Sequence, residues 1–438
     1  MNRLIIHNIG QLLTLCGASD RPKTGSALSD LGIIENGCVA IEGETIAAVG
    51  TEQEVWNRIR QRWGERLSVE VEVEVEAEVD VIDAGGRVVM PGMVDPHTHL
   101  VFAGTREYEL EMRLQGATYL EILQAGGGIL ATTRQTRQAT EEELLRQASS
   151  RLDRFLQYGV TTVEAKSGYG LDWKHEWKQL RVARRLHETH PVDVVSTFMG
   201  MHAVPEEYRN NPDRYVDIVV DEIIPQVADK GLAEFCDVFC EKGVFSLEQS
   251  RRVLEAGKRH GLMPKIHADE MESMGGAELA AELGAISADH LLRVSDRGIR
   301  RLADTGVIAV LLPGTAFYLM APFARARDMI EAGVAVALST DCNPGSSPTM
   351  SMPMILNLAC LHMKMTPAEA ISAATINAAH AIGRGRKIGS LEEGKQADLV
   401  LLDAPHYAFL QYHFGINLID TVIKKGRAVV KNGQLVRQ

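Results

Sequence analysis

Residues 88–100 read VVMPGMVDPHTHL, an apolar run ending in two histidines placed two apart, His97 and His99. In a strand, positions i and i+2 face the same side, so both imidazoles point one way. Arg106 follows in VFAGTRE, seven residues after His99. The run itself has the continuous apolar character of a strand buried on both faces, as in parallel sheets. Whether its histidines hold an ion or only decorate a strand end depends on what the rest of the chain supplies.

Seven further short runs have the same character: GVTTVEAK, DVVSTFMG, CDVFCEKG, LMPKIHAD, GAISADH, GVIAVLLPG and VAVALSTD. Helical patterns fall between several of them, such as EEELLRQASSRLDRFLQYG and LEQSRRVLEAGKRHG, the second closing on Gly261 as helices do. Eight strand–helix units over about 290 residues predict an α/β fold, a (β/α)8 barrel of the TIM type. A doubly wound open sheet would need a glycine-rich fingerprint after its first strand. The run AGGGI at 125–129 is not in that position, and no Lys-Ser/Thr follows it to make a phosphate cradle.

Both chain ends are strand-rich instead. RLIIHNIGQLLTL, GCVAIEGETIAAVG and VDVIDAGGRVV open the chain, and QADLVLLDA with LIDTVIKKGRAVVKNGQLV close it, with KNGQ marking a tight hairpin. The tract SVEVEVEVEAEVDVID, residues 68–83, alternates valine and acid and reads as a half-buried strand or an extended hairpin loop.

The composition excludes several classes. Of 438 residues, 58 are acidic and 46 basic, for a net charge of −12, and no basic stripe for nucleic acid is present. The first residues are interrupted by His7, Asn8 and Gly10, too soon for a signal peptide, and no run approaches a membrane span. Six scattered cysteines suit a reducing compartment, so the expected location is the cytoplasm.

Active sites of such barrels form at the C-terminal ends of the strands. The polar residues there are His97 and His99 after strand one, Lys166 and Tyr169 after strand two, and His202 after strand three. Glu241 and Lys242 follow strand four, His267 and Glu270 strand five, His290 strand six, and Asp341 and Asn343 strand eight. A lone His-x-His says little. With His267 and Asp341 facing it from other walls, the set becomes three imidazoles and a carboxylate, suited to zinc, iron or manganese.

These segments carry a resemblance. PGMVDPHTHL resembles the first-strand signature of the amidohydrolase superfamily, and HADE, ADH and STDCNPGS resemble its fifth-, sixth- and eighth-strand signatures. GKQADLVLLD is similar to the return into the small β-sandwich that members build from both chain ends. The implied layout is residues 1–87 and 393–438 in the sandwich and 88–392 in the barrel. DPHTHLVFAGTREYELEMRLQGATYLEILQAGGGI, EAKSGYGL, FMGMHAVP and STDCNPGSS extend the resemblance over residues 30 to 436. They point to the branch that opens the ring amide of 4-imidazolone-5-propanoate, giving N-formimidoyl-L-glutamate in histidine degradation. The acidic–valine tract departs from the pattern.

The resemblance implies one metal ion, zinc or iron, on His97, His99, His267 and Asp341. It makes Asp341 the proton acceptor, His290 the stabiliser of the carbonyl oxygen, and Glu270 a proton shuttle or ring contact. Arg106, with two parallel donors, would hold the propionate. Tyr169, His202, Asn343, Gly345 and Ser346 would complete the substrate contacts. Lys166 and Glu241 are better read as structural. The expected partners are a carboxylate-tailed small molecule and a second copy of the chain in a homodimer, with no nucleic acid or membrane. Three rivals remain: a mononuclear deaminase of a nucleobase-like ring, a binuclear cyclic amidase using Lys242, and a scaffold protein without catalysis.

Overall fold

The computed structural model describes residues 2–63, 79–117, 121, 122 and 125–436. In chain order, β1 (Arg3–Leu13), β2 (Ile33–Glu42), β3 (Thr45–Thr51), β4 (Val79–Asp83) and β5 (Val88–Pro91) come first. Eight strands follow: β6 (Met93–Asp95), β7 (Val160–Lys166), β8 (Asp193–Met201), β9 (Phe235–Cys240), β10 (Met263–Ala268), β11 (Ser287–His290), β12 (Ile308–Leu311) and β13 (Val336–Leu338). The chain closes with β14 (Leu399–Leu402), β15 (Ile419–Lys424), β16 (Arg427–Lys431) and β17 (Gln434–Leu435).

Strands β6 to β13 pair in sequence order, each parallel to the next. All eight expected strands are in this sheet. No ladder joins β13 back to β6; the residues just beyond them do so, through the Thr98–Cys342 bridge and the His99 N–H donating to Cys342 O at 3.0 Å. Asp95 adds side-chain ties, accepting from Thr340 Oγ1 at 2.5 Å and from Ser339 Oγ. The barrel therefore closes at the loops that carry the candidate site.

The helices on the outside begin where their capping residues predict. Thr140 and Glu143 make a reciprocal capping box on helix Glu141–Gln157, and Ser246 and Gln249 do the same on Leu247–Arg259. Leu144, Leu152 and Phe155 of the first pack with Val160 and Val163 of β7, each burial contributing roughly 1.5–3 kcal/mol.

The remaining strands form one nine-stranded sheet from both chain ends, with β14 antiparallel to β5 and β5 parallel to β1. One of its faces packs Leu4, Val39, Leu399, Leu401 and Ile423 into a single core. The KNGQ hairpin forms as expected, pairing Lys431 with Gln434. The acidic–valine tract lies mostly outside the described residues; its end, Val79–Asp83, pairs parallel with β1. One boundary shifts: Val88–Pro91, expected to open the barrel, pairs in the terminal sheet, and only Met93–Asp95 enters the barrel. Gly92 makes the switch, where a Cβ would lie 2.4 Å from Thr161 Oγ1.

Candidate active site

One cavity of about 430 Å³ opens at the C-terminal ends of the barrel strands. Its lining includes His99, Arg106, Tyr169, His202, His267, Glu270, His290, Asp341, Asn343, Gly345 and Ser346. Every expected site residue is thus on one wall or another, except His97, which lies fully buried among the same imidazoles.

The imidazoles converge. The ring of His97 is 4.4 Å from that of His267, 5.5 Å from His99 and 5.3 Å from His290. Asp341 Oδ1 lies 3.4 Å from His97 Nε2 and 3.6 Å from His99 Nε2. Potential donor atoms of His97, His99 and Asp341 all fall within 4.8 Å of one another, as do those of His97, His267 and His290.

Strand alternation accounts for most of this placement. Asp95 and His97, Lys265 and His267, and Glu164 and Lys166 are i, i+2 pairs that alternation sends to the same side, while Val163, Ala165 and Ile266 join the core under the helices. His290 departs from the pattern. Alternation would send it outward with Ala288, but the chain leaves the strand there with φ 76, and its ring sits 5.0 Å from His267. Asp341 also adopts positive φ, at 53. Both lie in the left-handed region that residues other than glycine seldom adopt.

The donor set fits a divalent cation. His97 Nε2, His267 Nε2 and Asp341 Oδ1 are buried and have no hydrogen-bond partner among the described residues. Such orphans are costly unless something else is bound there. Each ring is also held by its other nitrogen: His97 Nδ1 lies 2.6 Å from Asp289 Oδ2, and His267 Nδ1 lies 3.1 Å from Asp237 Oδ1. Carboxylates behind imidazoles are the usual orienting partners of metal-binding histidines. Thr315 Oγ1 donates to Asp341 Oδ2 at 2.5 Å and leaves Oδ1 free. Burial first, then neighbouring positive charge, holds His97, His99 and His290 well below the ordinary imidazole value. A depressed value favours the neutral imidazole, the form that can hold a metal.

Beneath this layer, Lys166 ties the supports together. Its Nζ is 2.6 Å from Asp237 Oδ2, 2.9 Å from Glu164 Oε2 and 3.4 Å from Asp289 Oδ2. It lies outside the cavity lining, in agreement with a structural reading. Glu241 also has a local role, accepting from the backbone N–H groups of Lys242 and Met271 at 2.9 Å each. Lys242 is exposed and pairs with Glu272, so it cannot bridge two metals inside the barrel.

The opposite end of the cavity is cationic. Arg106 and Arg113 line it with Glu109, beside the turn 343–346. Asn343 shapes that turn: its Oδ1 accepts from the N–H groups of Gly345 and Ser346, both at 2.8 Å, and its Nδ2 donates to Asp341 O at 2.7 Å. Its side-chain amide is therefore largely spent on the loop. Tyr169 lies between the two ends, 5.2 Å from the ring of His202, which stacks on His99 at 4.5 Å. Burial lowers His202 to about 3. Burial, followed by the charges of Asp341 and Glu241, pushes Glu270 up to about 8.

Sequence reasoning missed Asp237, Asp289, Thr315, Glu109 and Arg113. Asp289 had a visible signal, the residue immediately before His290 in ADH. Asp237 sits within CDVFC and had none.

A (β/α)8 barrel with imidazoles and a carboxylate gathered at its strand ends defines a metal-dependent hydrolase of the amidohydrolase class. A model of the amidohydrolase family matches residues 88–429, and the chain belongs to that family. Within it the chain belongs with the imidazolonepropionases. It is 62% identical to the imidazolonepropionase of Geobacillus sp. (strain WCH70), over 99% of this chain and 100% of that protein. It is 51% identical to that of Alkaliphilus metalliredigens (strain QYMF), over 99% of each. Among solved structures, an adenosine deaminase from Xanthomonas campestris with bound zinc shares the fold. Its TM-score is 0.71 at 19% identity, over 99% of this chain and 94% of that one. The family and the donor set together support a divalent metal as cofactor.

Proposed function

We infer that the chain hydrolyses the ring amide of 4-imidazolone-5-propanoate to N-formimidoyl-L-glutamate, a step of histidine degradation. The observation that supports this reading is the cavity's polarity: imidazoles at one end and a half-buried arginine, Arg106, at the other. A ring carrying a carboxylate tail suits both ends at once. A nucleobase-like ring without that tail leaves the arginine unused, so the deaminase reading has less support.

A divalent metal on His97, His99, His267 and Asp341 would supply a lowered pKa for water and positive charge beside the ring carbonyl. The protein's own groups then divide the proton traffic. Asp341, raised to about 6 chiefly by burial, is a carboxylate placed beside the metal site that can take the proton of the attacking water. Glu270 carries a proton at neutral pH and can deliver it to the ring nitrogen as the carbon–nitrogen bond breaks. His290, with Nδ1 3.6 Å from Glu270 Oε2, can donate to the oxygen that becomes negative at the carbonyl. Tyr169 and His202 bound the ring between these ends.

We take zinc as the ion, with iron as the alternative, since three imidazoles and a carboxylate suit either. The free thiols support a reducing compartment, and the cytoplasm is our reading. No described helix is long and apolar enough to cross a membrane. A homodimer is also proposed. Met320, Leu361, Tyr412 and Phe414 are exposed apolar side chains on or beside helices that pack together, a face a second copy would cover.

The test is metal analysis joined to an assay that follows loss of imidazolonepropanoate absorbance. Activity should track metal content and return on adding zinc or iron to chelated protein. Arg106→Ala should raise KM at least about tenfold. High activity in metal-free protein, or no turnover by metal-replete wild type, overturns the reading.

A further inference from the structure

Arg106 reaches the cavity already half engaged. Its Nε donates to Glu109 Oε1 at 2.7 Å and its Nη2 to Glu109 Oε2 at 2.8 Å, so a protein carboxylate occupies one two-donor edge of the guanidinium. A guanidinium has five N–H bonds. Among the described residues, the edge left without a hydrogen-bond partner runs from Nη1 to the second hydrogen of Nη2, and a bidentate ligand can take only that one.

The pair is held firmly. The Glu109 side chain is 4% exposed, and its Oε1 also accepts from Gly128 N–H at 2.7 Å, tying in the glycine run after the first strand. On the other side the guanidinium presses on the turn after strand eight, where a Cβ on Gly345 would lie 2.2 Å from Nη1. Burial alone would raise the Glu109 carboxyl; the hydrogen bonds and charge of Arg106 overcome it and hold it below the usual carboxylate range.

Charge makes a second argument. Arg106 and Glu109 cancel, so by themselves they offer no net attraction to an anion. Arg113 restores it, with Nη2 3.4 Å from Gly345 O and its guanidinium over the Tyr318 ring at 4.9 Å. Together the three groups carry one positive charge, the complement of one carboxylate.

We propose that Glu109 is a positioning residue for substrate binding: it occupies the side-on edge of Arg106 so that the end-on edge faces the tail, and Arg113 supplies the balancing charge. This rests on the reading that Arg106 binds the propionate.

The test compares 4-imidazolone-5-propanoate with the same ring bearing a neutral carboxamide tail, on metal-replete protein of verified metal content. Glu109→Ala should raise KM for the carboxylate about tenfold, with kcat within about threefold of wild type and the carboxamide KM within about twofold. Glu109→Gln keeps the volume and one acceptor oxygen, and should raise the carboxylate KM by less, roughly threefold. In an Arg106→Ala background, Glu109→Ala should raise KM no further, because its positioning acts only through that guanidinium. If Arg106→Ala raises KM but neither Glu109 variant does, this proposal falls and the function stands. Equal losses on both substrates also overturn it, since a merely structural role predicts that pattern. If Arg106→Ala itself leaves KM unchanged, the tail assignment falls first and this proposal with it.

Discussion

Asp289 Oδ2 lies 2.6 Å from His97 Nδ1, while Nε2 of the same ring faces the cluster with no hydrogen-bond partner among the described residues. The carboxylate fixes both the tautomer and the direction of the imidazole. His97 is thus prepared, before any ion arrives, to present a lone pair inward.

Asp289→Asn therefore weakens metal binding more than it weakens the fold. An amide nitrogen can face His97 Nδ1 and favour the wrong tautomer. Metal affinity measured by chelator competition should fall roughly 10- to 100-fold. An unchanged affinity would mean that the contact does not orient the ligand.

Glu270→Gln removes the proton that the buried carboxyl carries near neutral pH, where burial holds its value up at about 8. The glutamine has the same shape and can still hydrogen-bond, so KM should change little. The kcat should fall by roughly 10²- to 10⁴-fold, read from steady-state kinetics on metal-replete protein. A drop confined to KM would make Glu270 a ring contact only.

Gly345→Ala puts a methyl 2.2 Å from Arg106 Nη1. Glu109 anchors that guanidinium, so it cannot simply swing away. KM for the carboxylate-tailed substrate should rise about tenfold with the melting temperature within a few degrees of wild type. Wild-type KM would show that the arginine has room the geometry denies it.

Asp193 predicts an acid limit to stability. It opens β8 and accepts from Lys424 Nζ and Lys425 Nζ, both at 2.7 Å, joining the barrel to the terminal sheet. Burial works against its charged form, but the lysines prevail and hold it below its ordinary value of 3.8. A depressed carboxyl binds protons more readily unfolded than folded, so its contribution is present above the unfolded value and is lost as pH falls through the folded one. Asp193→Asn should cost about 2–3 kcal/mol at pH 7 by denaturant unfolding. The gap from wild type should shrink below about pH 4. A gap that stays constant with pH would show that the charge is not the source.

Much of this protein is legible in order and spacing. The eight apolar runs are buried on both faces, so each advertises a parallel strand, and their residues at the C-terminal ends name the cluster. What stays hidden is whatever depends on pairs distant in the chain. Asp237 looks like an ordinary interruption of an apolar strand until β9 lies beside β10 and the carboxylate meets His267. Asp289 is 192 residues from His97, and nothing local relates them. The exit from the first run is hidden for a similar reason: VVMPGMVDP reads as one strand, yet Gly92 lets its halves join two different sheets.

VVMPGMVDPHTHL by itself determined that a strand ends in two imidazoles on one side, because the two-residue period of a strand is a local property. Together with the other strand ends it determined the barrel and the imidazoles and carboxylate of the candidate metal site. Only the tertiary structure decided how those donors are held, with Asp289 and Asp237 behind the rings and Lys166 beneath them. It also decided that Arg106 meets its cavity with one edge already taken by Glu109. Ligand type is set by side-chain chemistry, which sequence states outright. Orientation is set by contacts between segments brought together only when the barrel closes.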